Sequence, residues 1–337
     1  MKKVATKQRI KQEKRELLIL RHGKSDWDVA GDDYHRPLKN RGKRGAQRIG
    51  IWLAQNNLVP DAVISSPAER AKVTAEKACK AMGFVKKDIC FEKNVYLADL
   101  NDLLAVLGEC PANSKRVMVV GHNPVLEELL RYLSDSFVVP DDGKLLPTAT
   151  LARLEMPAQW GKLAPGQAKL LSITRASTLP KDFPYPLPNG EERRDRPAYY
   201  YTQSAVIPYR IHNKQIEILI ISSSSNKHWV VPKGIKDPGL TPQASAAKEA
   251  WEEAGVEGKV GDTRLGRYTY KKWGATCTVD VYPMAVTRLI SEEEWQESHR
   301  GRKWVTPKEA AQHLKQKELA PMMDLLVKEL MIGKRLG

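Results

Sequence analysis

Short apolar runs that end in reactive residues set the rhythm of the first half of this chain. Leu17-Leu18-Ile19-Leu20 is unbroken apolar sequence leading into Arg21-His22-Gly23. Such a run predicts a short strand buried on both faces. Residues 41–55 carry Ile49, Trp52 and Leu53 at helical spacing. Ala62-Val63-Ile64 predicts a second strand, and Ser65-Ser66-Pro67 a helix start with Ser66 as N-cap and Pro67 at N1. Val117-Met118-Val119-Val120 predicts a third strand, followed by Gly121-His122-Asn123-Pro124 and a helix over 125–133. Strand, turn and helix repeated in this way predict an α/β unit with a largely parallel sheet. Its reactive residues then fall just beyond strand C-termini.

The pattern changes over 179–198, which hold Pro180, Pro184, Pro186, Pro188, Pro197, Asn189-Gly190 and a charged run at 191–196. That composition predicts an extended linker. Beyond it, strand-like runs at 203–210, 215–221, 266–271 and 277–286 surround a helix over 242–254, with helical sequence from Pro307 onward. This half reads as α+β. The chain thus divides into a basic tail (1–16), a first domain (17–178), a Pro-rich linker (179–198) and a second domain (199–337).

Charge and cysteine content narrow the function classes. The net charge of +15 favours polyanionic small-molecule partners such as nucleotides or polyphosphates. Residues 1–16 hold seven Lys or Arg against Glu13 and Glu16, and also read as a solvated tail. No zinc-finger, homeodomain or RNP pattern accompanies the charge, so nucleic acid is not the favoured partner. No apolar run approaches a membrane span. Cys79, Cys90, Cys110 and Cys277 form no CxxC pair, which suits free thiols in a reducing cytoplasm.

His22 carries the first chemistry. A neutral imidazole is a good nucleophile toward phosphorus, and the negative phosphoryl group needs cations around it. Arg21 is adjacent, while Arg70 and His122 follow other strands. Leu20-Arg21-His22-Gly23, Ser65-Ser66-Pro67-Ala68-Glu69-Arg70-Ala71-Lys72-Val73-Thr74 and Gly121-His122-Asn123-Pro124 resemble the histidine phosphatase superfamily. Arg36-Pro37-Leu38 before Arg41-Gly42 resembles its phosphohistidine-phosphatase branch. The resemblance covers about 16–178 and implies a phosphoglycerate-mutase-like fold. It implies that His22 becomes phosphorylated, that Arg21, Arg70 and His122 bind the phosphate, and that no cofactor is needed. Asp99 lies near where many relatives place a proton donor, and reads equally as the N-cap of a helix over 100–107. Ser25 and Lys24 are candidates for the pocket rim, Ser25 also for a cap or turn.

Glu249, Glu252 and Glu253 carry the second chemistry. On a helix they share one face, and three clustered carboxylates ask for a compensating cation of the Mg²⁺ or Mn²⁺ kind. The stretch from Gly234 to Val256 resembles the Nudix box, with the glutamates intact but Leu240 in place of Glu and Lys248 in place of Arg. Lysine lacks the arginine fork that orients the glutamates in that family. The flanks, His228-Trp229-Val230-Val231-Pro232-Lys233-Gly234 and Gly301-Arg302-Lys303-Trp304, resemble the diphosphoinositol- and dinucleoside-polyphosphate branch. The resemblance covers about 199–330 and implies that Lys233 and Lys227 touch phosphates and that an acid within 292–297 assists as base. Judged alone, each of these reads as a surface residue. Trp229, Trp251 and Trp304 read as core. Relatives often pair, which leaves room for a homodimer.

Together these readings predict a cytoplasmic two-domain phosphohydrolase. The second domain would cleave a diphosphate linkage in a nucleoside, dinucleoside or diphosphoinositol polyphosphate with Mg²⁺ or Mn²⁺. The first would remove phosphate through phosphorylated His22. The alternative is a phosphohistidine protein phosphatase whose second domain senses a ligand. A third, a nucleic-acid-bound hydrolase, rests on charge alone.

Overall fold

The computed structural model describes residues 14–333 and falls into two compact units, Met1–Lys181 and Asp182–Gly337. Most of the expected basic tail, residues 1–13, lies outside the described residues. Arg15 and Glu16 already belong to the first strand.

The first unit runs β1 (Arg15–Arg21), α1 (Asn40–Gln55), β2 (Ala62–Ser65), α2 (Glu69–Met82), β3 (Ile89–Phe91), α3 (Leu100–Gly108), β4 (Arg116–Gly121), α4 (Val125–Leu133), β5 (Thr150–Met156) and β6 (Lys169–Arg175). The strands form one sheet in the order β3-β2-β4-β1-β5-β6. The first four are parallel; β5 and β6 continue the sheet antiparallel. Leu17 and Ile19 pack with Leu103, Leu107, Leu126 and Leu129 of α3 and α4. Leu18 and Leu20 pack with Ile49, Leu53, Ala71 and Ala75 of α1 and α2. Helices cover both faces, which is why β1 shows no polar alternation. Each such fully buried side chain contributes roughly 1.5–3 kcal/mol.

One local expectation is corrected. Helix α2 begins at Glu69 after Ala68, not at Pro67. The Ser66 hydroxyl accepts from the Ala68 N–H at 3.3 Å and meets His122 Nε2 at 2.9 Å, so it closes the turn before the helix and ties that turn to His122.

The second unit runs β7 (Phe183–Leu187), β8 (Gly190–Arg194), β9 (Thr202–His212), β10 (Gln215–Ser222), β11 (Trp229–Val230), β12 (Lys233–Ile235), α5 (Pro242–Ala254), β13 (Val256–Val260), β14 (Gly266–Lys272), β15 (Ala275–Leu289), β16 (Arg302–Val305), α6 (Pro307–His313) and α7 (Leu319–Gly333). Strands β9 to β16 form one mixed sheet in which only the β9–β15 pair is parallel. Ala246, Ala250 and Ala254 of α5 pack on one face with Val206, Leu219 and Ile221. Leu314, Met322 and Met323 pack on the other with Ile207, Ile218 and Val279. Trp229 and Trp304 lean on these cores, whereas Trp251 is exposed because it sits on the outer side of α5.

The stretch expected as a linker is folded. Residues 183–194 form the β7–β8 hairpin, with Leu187 opposite Gly190 across a two-residue loop. Pro184 and Pro186 are two apart and face Arg193 and Glu191. Both therefore fall on the alternate pairs that need no N–H donor. Arg194 stacks over Tyr185 at 3.3 Å, and Tyr185 meets Tyr201 edge-on.

Helix α5 has defined ends. The Thr241 hydroxyl accepts from the Ala244 N–H at 3.1 Å, and Pro242 occupies N1. At the other end Gly255 takes φ 59°, and Arg302 donates to the carbonyls of Ala254 and Gly255 at 3.1 and 2.7 Å. A cation is favoured at a helix C-terminus. Among the described residues no helix is long and apolar enough to cross a membrane, and all four cysteines are free.

Candidate active sites

The first site lies at the C-terminal ends of β1, β4 and β2, which are neighbours in the sheet. Parallel strands carry His22, His122 and Ser66 to one edge, and the first turn of α2 adds Arg70. The His22 and His122 rings stand 5.1 Å apart. They line a cavity of about 560 Å³ together with Arg21, Arg36, Arg70 and Asn123.

His22 is prepared in tautomer and charge. Its Nδ1 lies 2.7 Å from the Gly23 carbonyl. A carbonyl only accepts, so Nδ1 carries the proton and Nε2 keeps its lone pair. Burial holds the His22 pKa down at about 4, with the Gly23 carbonyl opposing and Arg70, Arg21 and Arg36 adding to the depression. Burial, His22 and Arg70 hold His122 at about 3. Both rings are neutral near pH 7. Thr74 steadies the turn: its hydroxyl accepts from the Gly23 N–H at 2.9 Å and donates to the Arg70 carbonyl at 2.6 Å.

Around this ring sit buried nitrogens that have no hydrogen-bond partner among the described residues: Arg21 Nε, Arg36 Nε and Nη1, Arg70 Nε and His122 Nδ1. Buried donors are nearly always satisfied. A cluster of unsatisfied ones in a cavity fits an anionic ligand. The cavity also carries a carboxylate of its own. Asp33 accepts from Arg70 Nη2 at 2.8 Å and from the Tyr96 hydroxyl at 3.1 Å. Its other oxygen pairs with Arg36 at 2.6 Å, and its carbonyl takes Arg70 Nη1. Burial works to raise the Asp33 pKa, but Arg70 and Arg36 outweigh it and keep the group ionised.

His22, Arg21, Arg70, His122, Ser25 and Lys24 line one cavity. Asp99 does not. Its carboxylate accepts from the Asp102 N–H at 3.0 Å, and Asp102 reciprocates at the same distance, closing a capping box on α3. It is absent from the cavity lining. Asp33, Arg36 and Tyr96 were missed as site residues. Arg36 stood within a motif already noticed, but no spacing signal pointed to Asp33 or Tyr96.

The second site is carried by α5. Glu249, Glu252 and Glu253 lie on its last two turns, yet among the described residues no three acidic, histidine or cysteine side chains converge as a metal cluster. The physical reason is visible at Glu253. One oxygen accepts from the Lys233 N–H at 2.9 Å and the other from Arg300 at 2.8 Å, which draws it from its neighbours. Glu249 has no hydrogen-bond partner among the described residues. Burial, then Glu253 and Glu252, push its pKa up to about 7. Gly234 makes room for it: a Cβ there would lie 2.0 Å from the Glu249 carboxyl. A buried carboxylate beside two others, short of compensating charge, suits a hard divalent cation.

Lys248 is engaged with Asp237 at 2.8 Å and lies 3.7 Å from Glu252. Of the acids at 292–297, Glu297 approaches the site and pairs with Arg300 at 2.5 Å. Glu294 instead pairs with Arg288. Lys233 lines a second cavity of about 370 Å³ with His228, Lys271, Lys272 and Lys315. Lys227 does not line it; its side chain is exposed on the 223–228 turn, where the chain reverses through a backbone bond from Ser223 to His228. The other lysines come from distant segments and share no motif.

Comparison with known proteins agrees with this division. A family model for the NUDIX domain matches residues 201–326, and one for the histidine phosphatase superfamily (branch 1) matches 17–92. An uncharacterized protein of Mycobacterium tuberculosis is 29% identical over 159 residues, spanning 46% of this chain and 98% of its own. Human diphosphoinositol polyphosphate phosphohydrolase 3-alpha is 32% identical over 126 residues, spanning 36% of this chain and 74% of its own. The solved structure of the protein histidine phosphatase SixA complexed with tungstate is 20% identical, covers 48% of this chain and 97% of its own, and superposes with a TM-score of 0.42.

Proposed function

The chain belongs to the Nudix family through residues 201–326 and carries a histidine phosphatase superfamily domain before it, and from this two-domain phosphohydrolase we propose two chemistries on phosphorus. In the first domain Nε2 of His22 attacks phosphorus, and the leaving atom departs with the bonding electron pair. Water then attacks the phosphorus of phospho-His22, restoring the imidazole and releasing inorganic phosphate. Arg21, Arg70, Arg36 and His122 bind the phosphoryl oxygens, and Ser25 borders the pocket. The observation that carries this reading is the neutral His22, with Nδ1 tied to a carbonyl, among buried unpaired nitrogens. Asp33 is held ionised and Asp99 caps a helix, so no protonated carboxylic acid is poised for the leaving group among the described residues. That suits leaving groups that depart as stable species, such as a phosphate or an imidazole.

In the second domain we propose cleavage of a diphosphate linkage in a nucleoside, dinucleoside or diphosphoinositol polyphosphate. The Nudix family calls for a divalent metal in general, and Glu249, Glu252 and Glu253 would hold Mg²⁺ or Mn²⁺. Such a cation supplies Lewis-acid polarisation and an activated water. Lys233, Lys271, Lys272 and Lys315 offer a basic cradle for the polyphosphate. The similar human protein acts, by its name, on diphosphoinositol polyphosphates. The free cysteines suit a reducing compartment, and we place the enzyme in the cytoplasm.

A second reading keeps the first domain as a phosphohistidine protein phosphatase and makes the second a ligand sensor. Lys248 and Leu240 at box positions, and Glu253 already tied to Arg300, favour it. A product-resolved screen of nucleotides, dinucleoside polyphosphates and diphosphoinositol phosphates with Mg²⁺ separates the two. We expect His22→Ala to lose phosphate release by about 10⁴-fold and Glu249→Gln to lose diphosphate cleavage. If polyphosphate turnover survives in both variants, the two-chemistry reading fails. If Glu249→Gln changes nothing and the wild type binds but does not cleave, the sensor reading stands.

A further inference from the structure

Trp27 borders the cavity of the first site. It is 69% exposed, although an indole has much to gain from burial. Its ring has one close polar neighbour: the Arg36 guanidinium carbon lies 3.4 Å from the ring centroid. The loop around it is tied to hold it there. Asp26 and Asp28 flank Trp27, and Lys39 pairs with both, at 3.2 and 2.7 Å. The Asp28 N–H donates to the Asp26 carboxylate at 3.1 Å, closing a turn with Trp27 at its centre. The Asp26 N–H donates to the Pro37 carbonyl at 2.8 Å, and the Lys39 N–H to the Lys24 carbonyl at 2.9 Å. These backbone bonds join the segment that carries Trp27 to the segment that carries Arg36. The ion pairs are exposed and add little by themselves; the backbone bonds set the register.

Arg36 stands in need of such a platform. Its side chain is 10% exposed, and burial and then the nearby Arg70 work against its charge. Asp33 takes Nη2 at 2.6 Å. Nε and Nη1 have no hydrogen-bond partner among the described residues. A carboxylate holds a guanidinium through its N–H donors. An aromatic face holds it through the π cloud and leaves the in-plane donors unused. Trp27 therefore steadies Arg36 without occupying the donors that a phosphoryl group would take.

We propose that Trp27 is a positioning residue of the phosphatase pocket: its indole face fixes the plane of the Arg36 guanidinium, so that Nε and Nη1 meet the phosphoryl oxygens of the substrate. This rests on the reading that Arg36 binds those oxygens. Trp27 touches neither the phosphorus nor the leaving group in this role.

The test is a double-mutant cycle on the full chain. Tungstate is the tetrahedral oxyanion probe in calorimetry, with phosphate release from a phosphoramidate and thermal unfolding recorded beside it. Arg36→Ala should weaken tungstate about 30-fold. Trp27→Ala should weaken it about fivefold, the loss of one cation–π contact, with kcat/KM for the phosphoramidate falling in step. Trp27→Tyr, which keeps an aromatic face, should bind within about twofold of wild type. In the Arg36→Ala background, Trp27→Ala should change affinity by less than about twofold, because its effect passes through Arg36. If Trp27→Ala binds tungstate as wild type does and only its unfolding temperature falls, Trp27 is a structural contact and the inference is overturned. It is equally overturned if Trp27→Ala loses as much affinity when Arg36 is already absent. Should Trp27→Ala fail to fold, Trp27→Leu decides, because it keeps apolar bulk and removes the ring. About fivefold weaker tungstate is then expected, and unchanged affinity overturns the inference. A wild type that binds no tungstate, or an Arg36→Ala that binds it normally, overturns the reading of Arg36 itself and takes this inference with it.

Discussion

The two sites solve opposite electrostatic problems. Around His22 the surplus is positive: three arginines and a second histidine crowd a ring held neutral by burial. Around Glu249 the surplus is negative, and burial raises the proton affinity of a carboxylate beside two others. The first surplus invites an anion, which a phosphoryl group would supply. The second invites a cation. Each site is incomplete in the sign of its partner.

The contrast also shows in how each surplus is tempered. The basic site holds an internal carboxylate, Asp33, on two of its arginines. The acidic site holds an internal guanidinium, Arg300, on one of its glutamates. Both tempering groups come from irregular segments, Asp33 from the loop after β1 and Arg300 from the turn before β16.

The contrast breaks most visibly under chelation. EDTA should abolish polyphosphate cleavage by more than ~10³-fold while leaving phosphate release from a phosphoramidate unchanged; equal loss of both would unite the sites. Arg70→Lys, keeping charge but not the fork, should lower kcat/KM of the phosphatase step by about 100-fold. The pH profile sharpens the point. In the proposed reaction neutral His22 is the nucleophile, and its pKa is depressed to about 4. Phosphatase kcat/KM should stay level as pH falls through 6.5 and decline only near 4, where the ring protonates. A decline centred near 6.5 would show an exposed, unperturbed imidazole. Asp33→Asn removes the ion pairs to both guanidiniums, though the backbone carbonyl still holds Arg70 Nη1, and removes a charge that repels phosphate, so tungstate should bind about tenfold more tightly. Weaker binding would mean that Asp33 orients Arg70 rather than competing for it. The smallest effect belongs to Asp99→Ala: about 1 kcal/mol of stability lost with the α3 cap, and kcat unchanged. A collapse in kcat would return Asp99 to the chemistry.

What was legible in the sequence was local. An apolar run followed at once by Arg-His-Gly or Gly-His-Asn puts strand and reactive residue in the same few positions, so His22 and His122 could be placed without coordinates. Arg70 followed because it opens a helix after such a strand. The acidic triad was readable from helical spacing. The remainder depended on distance in the chain. Asp33 and Tyr96 are 63 residues apart and meet only because β1 and the segment before α3 end at the same sheet edge. Arg300 reaches Glu253 across 47 residues. The β7–β8 hairpin was hidden by its prolines, although Asn189-Gly190 signalled a turn; two prolines at alternate positions are compatible with a ladder that asks them for no donor. Asp99 was ambiguous because one residue type serves both as an acid and as a cap.

The contact between His22 Nδ1 and its neighbour's carbonyl has a regiochemical consequence. With the pros nitrogen committed as a donor, only the tele nitrogen can accept phosphorus. A trapped intermediate should therefore be the tele-phosphohistidine isomer alone, distinguishable from its pros counterpart by isomer-specific detection, and one backbone oxygen would be the reason.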